Sequence, residues 1–165
     1  MLQPEPAVES EAPAVVALRD ELARDLLARG LRQWHPGEVG VDEIRAQITH
    51  GEWHVARDDG IVATLRLVWA DPMIWDDLVV PGVDDAGYVH GLMVRPDRRG
   101  AGLGRFLLAW AEDRIRASGR RVARVDCVAS NVRLRAYYRF QGYVERGVRE
   151  FGNGWYPLMR FERPL

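Results

Sequence analysis

The stretch that most restricts the fold of this chain is 89–105, V-H-G-L-M-V-R-P-D-R-R-G-A-G-L-G-R. An apolar, strand-like run reaches Pro96, where the missing amide N–H ends a sheet ladder. A basic turn follows, glycines stand at 100, 102 and 104, and the helical run Phe106-Leu-Leu-Ala-Trp-Ala-Glu-Asp begins at once. Such glycines let backbone amides approach a ligand that any Cβ would hold away. The first turn of the next helix adds unpaired N–H groups and a partial positive charge, which together bind phosphate oxygens. Arg95, Arg98, Arg99 and Arg105 place cations at the rim. Strand, proline, arginines, glycines and helix in this order describe a phosphate cradle.

Spacing excludes two better-known phosphate loops. G-x-G-x-x-G would need glycine at 105, where Arg105 stands, and the nucleotide P-loop would need Gly-Lys-Ser/Thr. What fits is R-x-x-G-x-G at Arg99, Gly102 and Gly104, which resembles the acetyl-CoA signature of the GCN5-related N-acetyltransferase superfamily. Downstream, 124–143 reads R-V-D-C-V-A-S-N-V-R-L-R-A-Y-Y-R-F-Q-G-Y. It resembles the second signature of that superfamily: a strand, an asparagine, then a helix ending in Tyr-x-x-x-Gly-aromatic. The likeness covers roughly residues 10–163 and is densest over 86–144.

The resemblance implies an α/β (α+β) class with a mixed sheet, in which the strands at 88–94 and 122–128 splay apart. Acetyl-CoA would be the co-substrate. Its pantetheine arm would pair with the backbone of Leu92, Met93 and Val94 like an added strand. Its pyrophosphate would lie on the amides of Arg99, Gly100, Ala101, Gly102, Leu103, Gly104 and Arg105, and Asn131 would touch the cofactor. Tyr138, four residues before Gly142, occupies the position of the general-acid tyrosine.

Two residues stand as candidates for the base. His90 resembles the strand histidine that arylalkylamine acetyltransferases use in a proton relay, and an unperturbed imidazole pKa of about 6.5 suits proton removal near neutrality. Asp126 lies five residues before Asn131, where bacterial protein N-terminal acetyltransferases of the superfamily place a catalytic glutamate, although Asp is one methylene shorter. Either would act directly or through water. A backbone amide near Leu92 or Met93 would hold the developing oxyanion.

Composition limits the remaining possibilities. A chain of 165 residues suits one compact domain, and 47% hydrophobic with 28% charged residues is ordinary for a globular protein. No apolar run approaches the roughly 18 residues of a membrane span, and the start, Met1-Leu-Gln-Pro-Glu-Pro, lacks signal-peptide character, so cytoplasmic residence and no membrane partner are expected. Cys127 is the only cysteine, which rules out an intramolecular disulfide or a multi-cysteine metal site. All 23 basic residues are arginine. Residues 1–94 hold 7 of them against 17 acids, and residues 95–165 hold 16 against 7. A basic half suits a polyanionic cofactor and an acidic half a cationic acceptor.

In chain order, residues 1–12 are expected as a flexible tail with a short strand near Ala7 to Glu9, and 13–165 as a single domain. Val15, Leu18, Leu22 and Leu26 recur at helical spacing up to Gly30. A loop at 31–40 and a helix at 41–49 follow. Strands at 52–57 and 61–69 flank the hairpin turn Asp58-Asp59-Gly60. The stretch 71–85 reads as a loop near the acceptor, then come a strand at 88–94, a helix at 104–118, a strand at 122–128, a helix at 131–140, a strand opening at Gly142 and a last strand at 155–163.

Other chemistry fits less well. His50 and His54 straddle Gly51, which breaks the helix they would need to share a metal, and no metal is expected. Cys127 sits mid-strand, where a thiol is inert. The arginines cluster at the phosphate loop without interleaved aromatics, so nucleic acid is not an expected partner. The expected activity is transfer of acetyl from acetyl-CoA to a small-molecule primary amine by direct attack in a ternary complex. The alternatives are a protein N-terminal or lysine acetyltransferase and a non-catalytic acyl-CoA sensor. A homodimer is in keeping with the superfamily.

Overall fold

The structure is a computed structural model, and it describes residues 2–80, 82–152 and 154–165. The chain divides into two compact units, Met1–Leu67 with Gly91–Trp110, and Val68–His90 with Ala111–Leu165.

The first unit contains strand β1 (Glu5–Pro6), helices α1 (Ala12–Ala28) and α2 (Val41–Thr49), and strands β2 (Trp53–Arg57) and β3 (Ile61–Val68, up to Leu67). Pro13 in the first turn of α1 presets the helical φ. Val15, Leu18 and Leu22 are buried at the expected spacing, with Leu26 partly so. The helix ends in a glycine C-cap: Gly30 has φ +77, and the Leu31 N–H returns to the Leu26 carbonyl at 2.9 Å. The α1 side chains pack with Ile44 and Ile48 of α2 and with Trp53, Val55 and Met93 in one apolar cluster. β2 and β3 form the expected hairpin, with Gly60 at φ +75 and a register shift between Ala56 and Arg57.

Near the start of the chain the strand lies at Glu5–Pro6, antiparallel to Val55 and His54, not at 7–9. The reason is Arg57, whose guanidinium binds the Glu5 and Glu11 carboxylates at 2.7 Å and the Pro6 carbonyl at 3.1 Å. Residues 9–11 form a 3-10 turn instead.

The second unit holds helix α3 (Pro72–Trp75), the first residues of strand β4 (Ala86–Val94), the later turns of helix α4 (Leu103–Ala117), strand β5 (Val122–Val128), helix α5 (Val132–Phe140), and strands β6 (Val144–Arg149) and β7 (Leu158–Pro164). Seven strands hydrogen-bond in the order β1-β2-β3-β4-β5-β7-β6, a mixed sheet to which β4 contributes in both units. β4 and β5 are parallel, with Ala86–Val89 against Val122–Val125, whereas β5/β7 and β7/β6 are antiparallel. The β4/β5 ladder ends at Val89 and Val125.

The stretch 71–85 is more ordered than a loop. Asp71 caps α3 by accepting from the Ile74 N–H at 3.4 Å, Pro72 opens the helix, and a 3-10 turn covers Asp76–Leu78. Ile74 and Trp75 are buried with Ala86 and Tyr88. Arg160 of β7 clamps the segment by donating to the Ile74 carbonyl at 3.1 Å and to the Asp77 carboxylate. Among the described residues, no helix is long and apolar enough to cross a membrane.

Candidate active site

In the first unit, the loop read as a phosphate cradle leaves β4 where the Arg95 N–H donates to the Val62 carbonyl at 2.9 Å. A 3-10 turn spans Pro96–Arg98, and Gly100 and Gly102 take φ +82 and +78, a region closed to most side chains. The Phe106 N–H accepts its place in α4 by donating to the Gly102 carbonyl at 3.0 Å. The N–H groups of Leu103, Gly104 and Arg105 therefore fall in the first turn, where no intrahelical acceptor exists. This backbone fits a pyrophosphate.

The loop arginines are less available than the sequence alone suggests. Arg95 holds Asp97 at 2.6 Å, Arg98 holds Asp58 at 2.7 Å, and Arg99 holds Asp25 of α1 at 2.6 Å. The Arg99 hydrogen bond keeps the Asp25 carboxyl below its usual range. Arg105 is exposed at the start of α4. Backbone amides rather than free cations dominate this cradle.

β4 runs unbroken over Ala86–Val94, as expected for 88–94, and within it Gly91 takes φ +55, a region that favours glycine. The Gly91 carbonyl accepts from the Thr64 hydroxyl at 2.8 Å, and a Cβ at this position would meet the Trp53 ring at 2.5 Å. Beyond Gly91, Met93 is buried in the apolar cluster while Leu92 and Val94 are partly buried.

The second unit brings His90 and Asp126 together. Val89 pairs with Val125, so the next residue of each parallel strand stands side by side. His90 Nδ1 lies 3.5 Å from Asp126 Oδ2. On the other side of the ring, Nε2 lies 3.1 Å from Asp71 Oδ2. The imidazole thus sits between two carboxylates. Both Oδ2 atoms are buried, and neither approach has the directed geometry of a hydrogen bond. Burial pushes the Asp126 carboxyl above its usual range, His90 opposes that shift and the Asp71 charge adds to it.

Asp71 is the residue that sequence reasoning missed, since it was counted with the 71–85 loop. The Asp-Pro pair ahead of Met73-Ile-Trp carried the signal of a helix start. Its two oxygens are divided, Oδ1 on the α3 cap and Oδ2 toward His90.

Asn131 is buried and serves as the N-cap of α5, its Oδ1 accepting from the Leu134 N–H at 3.0 Å. Tyr138 lies on α5 with its ring against Tyr137, Tyr143 and Phe161, at centroid distances of 5.6, 6.0 and 5.4 Å, and is 5% exposed. Burial holds its hydroxyl pKa well above the ordinary tyrosine value. Gly142, at φ +88, closes α5 as its glycine C-cap, and the Tyr143 N–H returns to the Tyr138 carbonyl at 3.1 Å. The four-residue spacing from tyrosine to glycine is thus one turn of helix plus its cap.

Cys127 is buried, and its thiol is pushed up to about 12 by burial, in line with the inert role expected of it. His54 stacks on Trp110 at 4.6 Å, while His50 is the C-cap of α2. Among the described residues, the group of His, Cys, Asp and Glu donors close enough to share a cation is Asp71, His90 and Asp126, within 4.8 Å of one another.

Comparison with known proteins gives the family and the fold. The model of the acetyltransferase (GNAT) family matches residues 16–143. An uncharacterized N-acetyltransferase of Bacillus subtilis (strain 168), YesJ, is 32% identical over 147 residues, covering 87% of this chain and 82% of that protein. Among solved structures, a ribosomal-protein-alanine N-acetyltransferase from Brucella melitensis superposes with a TM-score of 0.72 at 23% identity, over 99% of this chain and 100% of that one. The structure of yncA from Salmonella typhimurium with its cofactor acetyl-CoA gives 0.72 at 17% identity, over 100% and 94%. The chain belongs to the GNAT family of acetyltransferases.

Proposed function

We propose that this N-acetyltransferase moves the acetyl group of acetyl-CoA onto a small primary amine by direct attack, with His90 as the base. The observation that carries the reading is the His90 imidazole held between Asp71 and Asp126, at 3.1 and 3.5 Å. Asp126 beside Nδ1 and Asp71 beside Nε2 both stabilise the imidazolium that forms when the ring takes a proton. Acetyl-CoA supplies the activated thioester. The first-turn amides of α4 and the glycines at 100 and 102 suit its pyrophosphate, and the backbone of Leu92–Val94 in the same unit is the proposed pantetheine track.

The residues then divide the work. His90 takes a proton from the amine, an amide of Leu92 or Met93 stabilises the carbonyl oxygen as it gains charge, and Tyr138 protonates the departing sulfur. A small acceptor is favoured over a peptide because α3 beside His90 is anchored by the buried Trp75 and by Arg160.

Release of free thiol from acetyl-CoA, measured with polyamines, amino acids, arylalkylamines, aminoglycosides and peptides, tests the reading. Turnover is expected with small primary amines, and Tyr138→Phe is expected to lower kcat by about 10²-fold, in the range of general-acid effects. Binding of acetyl-CoA, seen as a thermal shift, without release under any amine would establish a sensor instead.

A further inference from the structure

The carboxylates around α3 fall into two groups. Asp76 and Asp77 pair with Arg149 and Arg160, Asp84 with Arg124, and Asp85 with Arg121. Asp71 and Asp126 have no arginine among the described residues. The absence is not for want of candidates. Arg160 stands directly across from Asp126 in the β5/β7 register, yet its guanidinium goes to Asp77 and the Ile74 carbonyl. Arg124, two residues before Asp126, goes to Glu162 and Tyr88, and its guanidinium lies over the Trp75 ring at 4.9 Å. The arginines that surround α3 are therefore committed elsewhere. What remains is a neutral or singly charged imidazole flanked by two carboxylates, each with a buried oxygen that accepts no hydrogen bond.

Such a site lacks a cation that brings hydrogen-bond donors. Buried acceptors left unpaired cost free energy, which a charged donor recovers. We propose that Asp71 is the acceptor-docking carboxylate, and that its Oδ2, 3.1 Å from His90 Nε2, receives the ammonium group of a primary alkylamine and so selects charged alkylammonium acceptors over uncharged amines. The inference rests on the acetyltransferase reading above, with His90 as base. An ammonium that donates to Asp71 Oδ2 brings its nitrogen beside His90 Nε2, which lies 3.1 Å from that oxygen, and so presents a proton to the imidazole. The imidazole takes one proton and passes it to solvent. The freed lone pair forms the N–C bond as the C–S bond breaks, and the second proton lost by nitrogen balances the one that ends on the thiol. Asp71 also links acceptor binding to α3, because its Oδ1 caps that helix at Ile74.

The test compares wild type with Asp71→Asn and Asp71→Ser. Both side chains retain a capping oxygen for α3, so folding is preserved and is checked by thermal melting. The acceptors are primary alkylamines, R–CH2–NH2, and their O-alkylhydroxylamine isosteres, R–O–NH2, which have the same shape but are uncharged near neutrality. The expected result is a rise of about tenfold or more in KM for the alkylamine in both variants, with the isostere and acetyl-CoA little changed, as for loss of one charge-assisted contact. Equal losses with both acceptors would mean that Asp71 acts through His90 and would overturn the docking role. So would an unchanged KM for the alkylamine, or a wild type that uses only the uncharged series. A wild type that acetylates neither series overturns the acetyltransferase reading itself, and this inference with it.

Discussion

His90 Nδ1 stands 3.5 Å from Asp126 Oδ2, which makes one unit of two residues that the sequence offers as alternatives. The parallel register Val89 to Val125 forces the neighbourhood, because the following residue on each strand projects to the same face. A carboxylate beside each ring nitrogen stabilises an imidazolium, the form that the proposed base reaches on taking a proton.

Groups that act as a unit are not additive when removed. His90→Gln is expected to lower kcat by about 10²- to 10⁴-fold, the range of general-base effects. Asp126→Asn should cost less, and the double variant should be no slower than His90→Gln alone. Steady-state thiol release from the two singles and the double closes the cycle. Losses that multiply would show two independent routes for the proton.

Gly91 carries a second constraint on the same strand. Its φ of +55 is rarely adopted by residues with a side chain, and an added methyl would lie 2.5 Å from the Trp53 ring, which is buried in the apolar cluster. Gly91→Ala therefore strains the backbone and displaces a packed indole, at a cost of about 1–3 kcal/mol for each effect in typical cases. A fall of several degrees in Tm by calorimetry is expected, because both effects raise the free energy of the folded state. A variant with unchanged Tm would mean that β4 relaxes without loss.

Legibility in the sequence followed the range of the forces. Residues 41–49 and 122–128 form their helix and strand where expected, because glycine caps, apolar period and β-branched alternation act within a few residues. The four residues of α3 are too few to show a period. They are held by Trp75 burial and by Arg160, which is 83 residues distant from Asp77 in the chain. The same holds at the site. Glycines, asparagine and tyrosine were legible as spacing, and the Tyr138-to-Gly142 interval proved to be a helix turn and cap. The meeting of Asp71 with His90 depends on a helix cap and a strand 19 residues further on, and no local pattern encodes it. The pairing of Arg99 with Asp25, 74 residues away, escaped for the same reason.

Asp126 also leaves a trace in stability. Burial, the largest cause, raises its folded-state pKa above the unfolded value of about 3.9, while His90 partly opposes and Asp71 reinforces the shift. The folded state then binds the proton more tightly than the unfolded chain. The resulting stabilisation is full below the unfolded pKa and is lost as pH rises through the folded one, so at neutrality the ionised group is a liability. Asp126→Asn keeps the shape and removes the charge. Its Tm should exceed that of wild type at about pH 7, and the gap should narrow as pH falls toward about 4, where wild type regains the proton. Melting both proteins across that interval, with wild-type activity measured alongside, reads the effect directly. A variant less stable than wild type at neutrality would mean that the attraction between Asp126 and a protonated His90 outweighs the cost of burying the carboxylate.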